Sequence, residues 1–250
     1  MSDNSYDSHA ARWAHHARTK ESISHEYLEK PAMFGALPDL SGKRVLSIGC
    51  GSGEECHELK GRGASSVLGI DASSHLIEIA RASWPELEFE VCRMEDISHP
   101  PESFDFAYSS LALHYAASWT DILTRVRSAL VPGSAFLFST HHPIKWGMEK
   151  TREGNRFSYR LSYELQGNND ATIHGDYLTS RRVDEKLLNE IPISFWHRPF
   201  GELLRDIHAS GFTLVDLIEP LPIETAKAKK KNFWLVHRKI PKFAIFRLKA

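Results

Sequence analysis

A chain of 250 residues, 42% hydrophobic and 25% charged, can bury a full core and has the make-up of an ordinary globular protein, one domain with an insertion. Its formal net charge of −1 gives no overall field toward nucleic acid or an anionic membrane; no apolar run approaches a membrane span, and the polar start Met1 to Ser8 lacks a signal core. The three cysteines, Cys50, Cys56 and Cys92, form no paired framework and point to a reducing, cytoplasmic location.

In chain order, residues 1–40 read as helical segments, one carrying Ala10, Ala11, Trp13, Ala14 and Ala17 and another carrying Ile23, Tyr27 and Leu28 before Pro31. They are expected to cover a ligand site built by the strands and turns of the core. Residues 41–142 alternate strands with helices. Strands are predicted at Arg44 to Ile48, Val67 to Ile70, Glu88 to Cys92, Phe104 to Ser109 and Ala135 to Ser139. Ile122, Leu123, Val126, Ala129 and Leu130 give a helix over Asp121 to Leu130 that Pro132-Gly133 stops. The alternation implies a doubly wound α/β fold on a parallel sheet, with its ligand crevice at the carboxyl ends of the strands. Residues 143–194 turn aromatic-rich, and the alternation of Phe157, Tyr159, Leu161 and Tyr163 predicts an antiparallel strand in an inserted substrate cap. Residues 195–250 return to the core pattern, with a helix over Gly201 to Ser210 and strands at Thr213 to Ile218 and Pro241 to Leu248.

The first strand breaks into Gly49, Cys50, Gly51, Ser52 and Gly53 and then into a helix-like segment. Glycine is needed where backbone turns with positive φ or approaches a ligand closer than a Cβ permits, and the next helix points free N–H groups at the same place. A dinucleotide fingerprint needs glycine or alanine at position 54, where this chain has Glu54, and no Gly-Lys-Ser/Thr comes after the turn to cradle phosphate. The turn therefore suits a nucleoside without phosphate. Asp71 ends the second predicted strand 22 residues beyond Gly49, placed to accept both ribose hydroxyls. Its plainer reading, a cap for the next helix, has Ser73 and Ser74 as competitors.

Taken in order, five stretches resemble the class I S-adenosylmethionine-dependent methyltransferases: the glycine turn, Gly69-Ile70-Asp71-Ala72-Ser73, Ser103-Phe104-Asp105-Phe106, Ser109-Ser110-Leu111-Ala112-Leu113-His114-Tyr115, and Leu130-Val131-Pro132-Gly133-Ser134. Ser139-Thr140-His141-His142-Pro143 and His197-Arg198-Pro199-Phe200 resemble a branch acting on small molecules. The resemblance implies a Rossmann-like seven-stranded sheet, mostly parallel with an antiparallel last strand. It implies S-adenosyl-L-methionine as cofactor and S-adenosyl-L-homocysteine as product, held by Ser47, Gly49, Cys50, Gly51, Gly53, Asp71, Ala72, Met94, Glu95, Asp96 and Ser110. Met94 to Asp96 would serve the adenine, with the acid at Glu95 or Asp96. Ser47 departs from the pattern, because the family has Asp or Glu there for the amino group of the methionine moiety. Loss of that charge is expected to weaken binding by about 1–2 kcal/mol.

Methyl transfer from a sulfonium is an in-line displacement from an activated donor, so alignment in a dry site supplies most of the catalysis. A base is needed only when the acceptor arrives protonated. His114, directly after the fourth strand, is the candidate catalytic residue, as base or acceptor-orienting group, and equally a packed histidine bonded to backbone. Tyr115, His142, His197 and Arg198 are candidate substrate-binding residues, with Glu202 as a helical partner for Arg198. His141 and His142 point to opposite sides of a strand end and no cluster with ligand spacing accompanies them, so no metal is expected. The expected activity is methylation of a small organic acceptor. The alternatives are a non-catalytic S-adenosylmethionine-binding regulatory protein, for which Ser47 speaks, and a tRNA methyltransferase, for which Lys227, Lys229, Lys230 and Lys231 speak. Nucleic acid is not an expected partner, because binding by counterion release needs a broader basic surface.

Overall fold

The computed structural model describes residues 5–19, 21–154, 156–166, 170–187 and 190–250; the polar start from Met1 to Asn4 lies outside them. β1 (Arg44–Ile48), β2 (Ser66–Asp71), β3 (Glu88–Val91), β4 (Phe104–Ser109) and β5 (Leu130–His141) run parallel, in the spatial order β5-β4-β1-β2-β3. β1 lies at the centre and is buried from Val45 to Ile48, as expected of a strand covered on both faces. Leu46 and Ile48 pack with Phe136 and Phe138 on one face, while Val45 packs with Phe106 and Leu137 on the other.

After β5 come three antiparallel ribbons, β6 (Glu149–Glu153) with β7 (Arg156–Arg160), β8 (Ser162–Gln166) with β9 (Asp170–His174), and β10 (Arg181–Leu187) with β11 (Ile191–His197). The strand predicted through Phe157 to Tyr163 is therefore two: β7 folds back on β6 and β8 on β9, and Leu161 falls between them. β12 (Thr213–Ile218) and β13 (Phe243–Lys249) then complete the seven-stranded sheet, β13 antiparallel to both β5 and β12. This is the Rossmann-like sheet with an antiparallel last strand in the chain.

Helices cover the sheet: α1 (Ser5–Ser8), α2 (Ala10–Arg18), α3 (Lys30–Gly35), α4 (Glu54–Gly61), α5 (Ser74–Ser83), α6 (Trp119–Ala129), α7 (Pro143–Gly147), α8 (Phe200–Ala209), α9 (Thr225–Lys229) and α10 (Lys231–His237). A π-helical turn over His25–Glu29 leads directly into α3, so Pro31 stands at the head of a helix and not beyond the end of one. Proline has no N–H for the carbonyl four residues back, and that carbonyl, of Tyr27, accepts instead from Ile223 N at 2.9 Å. A second departure concerns Pro132-Gly133, which does not separate helix from strand: β5 already pairs at Leu130, and the two residues fall in an irregular register between Phe104 and Phe106 of β4. Among the described residues no helix is long and apolar enough to cross a membrane.

Candidate functional site

The three glycines of the turn have φ of +69°, +55° and +88° at Gly49, Gly51 and Gly53. A Cβ on Gly49 would lie 2.4 Å from the Cβ of Ala112, and one on Gly51 3.3 Å from Trp13 Nε1. Sterics thus demand glycine at Gly49 whatever the ligand, and at Gly51 the positive φ and a tight contact favour it. Gly51 N donates to Asp71 Oδ2 and Ser73 N to Asp71 Oδ1, both at 2.9 Å. Burial pushes the Asp71 carboxyl above its ordinary value, and those backbone bonds oppose the shift. Ser73 caps α5 by accepting from Leu76 N at 3.2 Å, which leaves Asp71 to face the turn. Ala72, beside it, is exposed. Glu54, the side chain that argues against a pyrophosphate, is paired with Arg18 at 2.8 Å and tied to the turn by Ser52 Oγ, which donates to it at 2.6 Å.

Further round the crevice, Met94, Glu95 and Asp96 form a 3-10 turn after β3, with Met94 packed on the core. Cys50 is half-buried, and burial, then Cys56, holds its thiol well above the ordinary value. Ser47 is buried on β1 in register with Tyr108 of β4. Ser110 Oγ donates to Glu29 Oε1 at 3.0 Å, and Ser139 Oγ donates to the same oxygen at 2.5 Å. Leu111, between the rim and β5, takes φ +50° and donates its N–H to Ser139 Oγ at 2.9 Å, a left-handed backbone held by its neighbours.

The amino-terminal segment closes over this arrangement. Asp7 accepts from Ser73 Oγ at 2.8 Å and from His75 N at 3.1 Å, which fixes α1 to the start of α5. Tyr6 and Tyr115 share a hydrogen bond of 2.5 Å between hydroxyls, and Trp13 packs edge-on against Tyr6 at 5.5 Å. Tyr6, Asp7 and Trp13 join the site here, and only helical periodicity marked their segment in the sequence.

Beyond the ends of β4 and β5 lies a small cavity of about 10 Å³ lined by His114, His141, Trp146, Trp196, His197 and Arg198, among others. The rings of His114 and His141 stack 4.1 Å apart, and Phe195 meets both edge-on. Burial, then Lys145, pushes the His114 imidazole down to about 3, and His141 also lies well below its ordinary value. Burial brings Lys145 down to about 7, with its Nζ 4.0 Å from the centre of the Trp146 ring. Among the described residues, His114 Nδ1, His141 Nδ1, Trp146 Nε1 and His197 Nδ1 are buried without a hydrogen bond.

The candidate substrate residues divide. His197 lines the cavity and bonds Tyr177 O through Nε2 at 3.0 Å. Arg198 lines it too, yet its guanidinium reaches Ala116 O at 2.9 Å, Ala117 O at 2.5 Å and Glu202 at 3.1 Å. His142 lies on the opposite side of the strand end, with Nε2 2.7 Å from Glu219 and Nδ1 accepting from Ile144 N at 3.2 Å. Its neighbour His141 is the one that meets His114, and the two-residue alternation of β5 puts it on the side of Ser139.

A turn of three positive-φ glycines and, at the end of the adjacent strand, a carboxylate held toward it by Gly51 N and Ser73 N are the parts of a site for a nucleoside without phosphate. On a sheet closed by an antiparallel strand, they define the S-adenosylmethionine-dependent methyltransferase class, and these residues fit that cofactor. Residues 13–182 match the family described as methyltransferase domain, and the chain belongs to that family. An uncharacterized protein of Haemophilus influenzae is 29% identical over 214 residues, covering 71% of this chain and 83% of that protein. A solved S-adenosylmethionine-dependent methyltransferase from Mesorhizobium loti aligns with a TM-score of 0.74 at 28% identity, over 92% of this chain and 99% of the other. Shorter stretches resemble a tRNA U34 carboxymethyltransferase of Methylococcus capsulatus (31% identical, 42% of this chain, 34% of that protein) and a ubiquinone biosynthesis O-methyltransferase of Neisseria meningitidis (32%, 41% and 45%). Against these two, the match spans less than half of the relative's own length.

Proposed function

We propose that this methyltransferase acts on a small organic acceptor that enters beside His114 and His141, under a cap formed by residues 143–194, and that it does so in a reducing cytoplasm. The observation that carries the reading is the set of four unpaired buried ring nitrogens converging on one aromatic cavity. Leaving a buried polar atom unpaired costs about 1–3 kcal/mol each, which favours a ligand that brings hydrogen-bonding groups; the cavity of about 10 Å³ has room for little more than a water, so such an acceptor enters only as the rings around it move apart. The bound cofactor supplies an electrophilic methyl group. His114 is a weak base at its lowered pKa, and its Nδ1 lone pair serves better to orient an acceptor O–H or N–H than to store the proton. Lys145, brought down to about 7, is matched to holding or releasing a proton near neutrality. Asp71 takes the ribose hydroxyls, the turn supports the nucleoside through main chain, and Met94 to Asp96 flank the base.

A screen of phenols, heteroaromatic amines and small carboxylic acids for S-adenosylhomocysteine release tests the reading. Turnover on one chemical group supports it; turnover on tRNA alone overturns it in favour of the polynucleotide reading. That second reading has one observation behind it: Lys227, Lys229, Lys230 and Lys231 form an exposed run across the end of α9 and the start of α10, and burial, then Lys230, depresses Lys242.

A further inference from the structure

His25, Glu29 and Glu55 come from two separate segments, yet their ligating atoms lie within 4.8 Å of one another. His25 Nε2 is 3.0 Å from Glu29 Oε2 and 2.9 Å from Glu55 Oε1. Glu29 is completely buried, and its other oxygen already takes the hydroxyls of Ser110 and Ser139. A single N–H cannot point at two carboxylates at once, and Glu29 Oε2 and Glu55 Oε1 are both buried without an aligned hydrogen bond. The Tyr108 hydroxyl, also fully buried, has no aligned hydrogen bond either, although it approaches Glu55, and burial, then Glu55 and Glu29, raises its pKa.

We propose that His25, Glu29, Glu55 and Tyr108 form the receptor for the α-ammonium at the amino-acid end of the cofactor, a role that the chain has moved off strand β1. The proposal rests on S-adenosylmethionine being the cofactor. Its geography comes from the sheet. Asp71 ends β2 on one side of β1, so the ribose is held there; Ser110 just after β4 and Ser139 of β5 lie on the other side, and Glu55 is in the first turn of α4, directly after the glycine turn. A nucleoside lying along the turn with its ribose at Asp71 brings its tail to this cluster.

The charge agrees. One imidazolium against two carboxylates leaves a single negative charge, offset only in part by Lys30, which pairs with Glu26 at 3.3 Å and is also close enough to favour the charged form of Glu55. An alkylammonium brings one positive charge and three N–H donors to a site where two carboxylate oxygens are left without an aligned hydrogen bond. A divalent metal fits less well, because burial alone would lower His25 but Glu29 and Glu55 override it and hold the ring protonated, up to about 10, with no lone pair at Nε2. Ser47 fits the same picture. Its residue partner across β4 is Tyr108, and an acid at position 47 would set a third buried carboxylate among these two.

The test is calorimetric titration of the full chain with S-adenosylhomocysteine and with 5′-methylthioadenosine, which keeps the nucleoside and lacks the amino-acid end. Glu55→Gln keeps shape and removes charge. It should weaken S-adenosylhomocysteine about 10-fold and leave methylthioadenosine within about twofold. Adding Ser47→Asp to that variant should recover part of the loss, and Glu29→Gln, checked by thermal melting for folding, should repeat it. Unchanged S-adenosylhomocysteine affinity in folded Glu55→Gln, or equal loss of both ligands, overturns the proposal. If the wild-type chain binds neither nucleoside, the cofactor reading falls and takes the proposal with it.

Discussion

At the glycine turn the polar atoms find their partners within the protein: Gly51 N–H and Ser73 N–H both end on Asp71, Ser73 caps α5, and Ser52 holds Glu54. Beyond the ends of β4 and β5 the pattern reverses, and four ring nitrogens of His114, His141, Trp146 and His197 are buried with no partner among the described residues. The first region is built by backbone and is complete before a ligand arrives, so its geometry is set by steric demand at three glycines. The second is built by side chains from the turn after β4 and from β5, α7 and β11, and its hydrogen bonding is left for a ligand to finish. Damage to the first should therefore abolish cofactor binding, whereas damage to the second should spare binding and lower turnover.

The sharpest way to break that comparison is Gly49→Ala. The added Cβ would meet the Ala112 Cβ at 2.4 Å in a backbone with φ +69°. Left-handed strain of about 1–2 kcal/mol and overpacking of about 1–3 kcal/mol add at one point. The expected outcome is loss of S-adenosylhomocysteine binding by about 100-fold or more, with a lowered melting temperature. Retained affinity would mean that Ala112 and its loop move freely, and that the turn is less complete than its bonding implies.

Turnover is the next largest effect. His114→Asn and His141→Asn should each lower it about 10- to 100-fold on an acceptor found by the screen, with S-adenosylhomocysteine affinity within about twofold of wild type. Unchanged turnover in both would return the stacked pair to the core.

The same contrast explains how much is legible in the sequence. β1, β4 and β12 have the bounds that their apolar runs and flanking turn residues predict, because local sequence decides where such strands start and stop. β5 is legible only from Ala135, since a proline-glycine pair looks like a terminator when the strand that pairs across it is out of view. The glycine turn and Asp71 lie 22 residues apart in a pattern that is visible along the chain. Glu29, Ser110 and Ser139 meet only because the sheet order places β4 and β5 beside β1 and a π-helical turn delivers Glu29 over them, and no spacing records that. Strand parity counted from Ser139 would single out His141 over His142 as the partner of His114.

A smaller change sharpens the cofactor end. Asp71→Asn should weaken S-adenosylhomocysteine and methylthioadenosine alike, by about 10-fold, if Asp71 takes the ribose hydroxyls as proposed, since it would remove charge from bonds that both nucleosides share. A loss confined to one ligand would show that Asp71 serves something other than the ribose.

The smallest expected effect is on stability against pH, and its sign differs between the two regions. His114 has its folded pKa depressed to about 3 from an ordinary 6.5, so the unfolded chain takes up a proton that the folded chain refuses, and stability falls as pH drops below 6.5. His141 acts in the same direction. One such histidine removes about 1.4 kcal/mol between pH 7.5 and 5.5. His25 is the opposite case: raised to about 10, it contributes stability that is full below 6.5 and is lost as pH rises through 10. Asp71, raised by burial, favours the folded chain as acid protonates it, so the acid limb is best read above its range. Chemical denaturation at pH 7.5 and 5.5 should show the wild type losing stability and His114→Asn losing less. At pH 9.5 to 10.5, His25→Gln should flatten the alkaline fall while leaving the acid limb in place. Parallel curves for wild type and His114→Asn would mean that the His114 ring is solvated and titrates normally, and the cavity at the acceptor end would then be open to water.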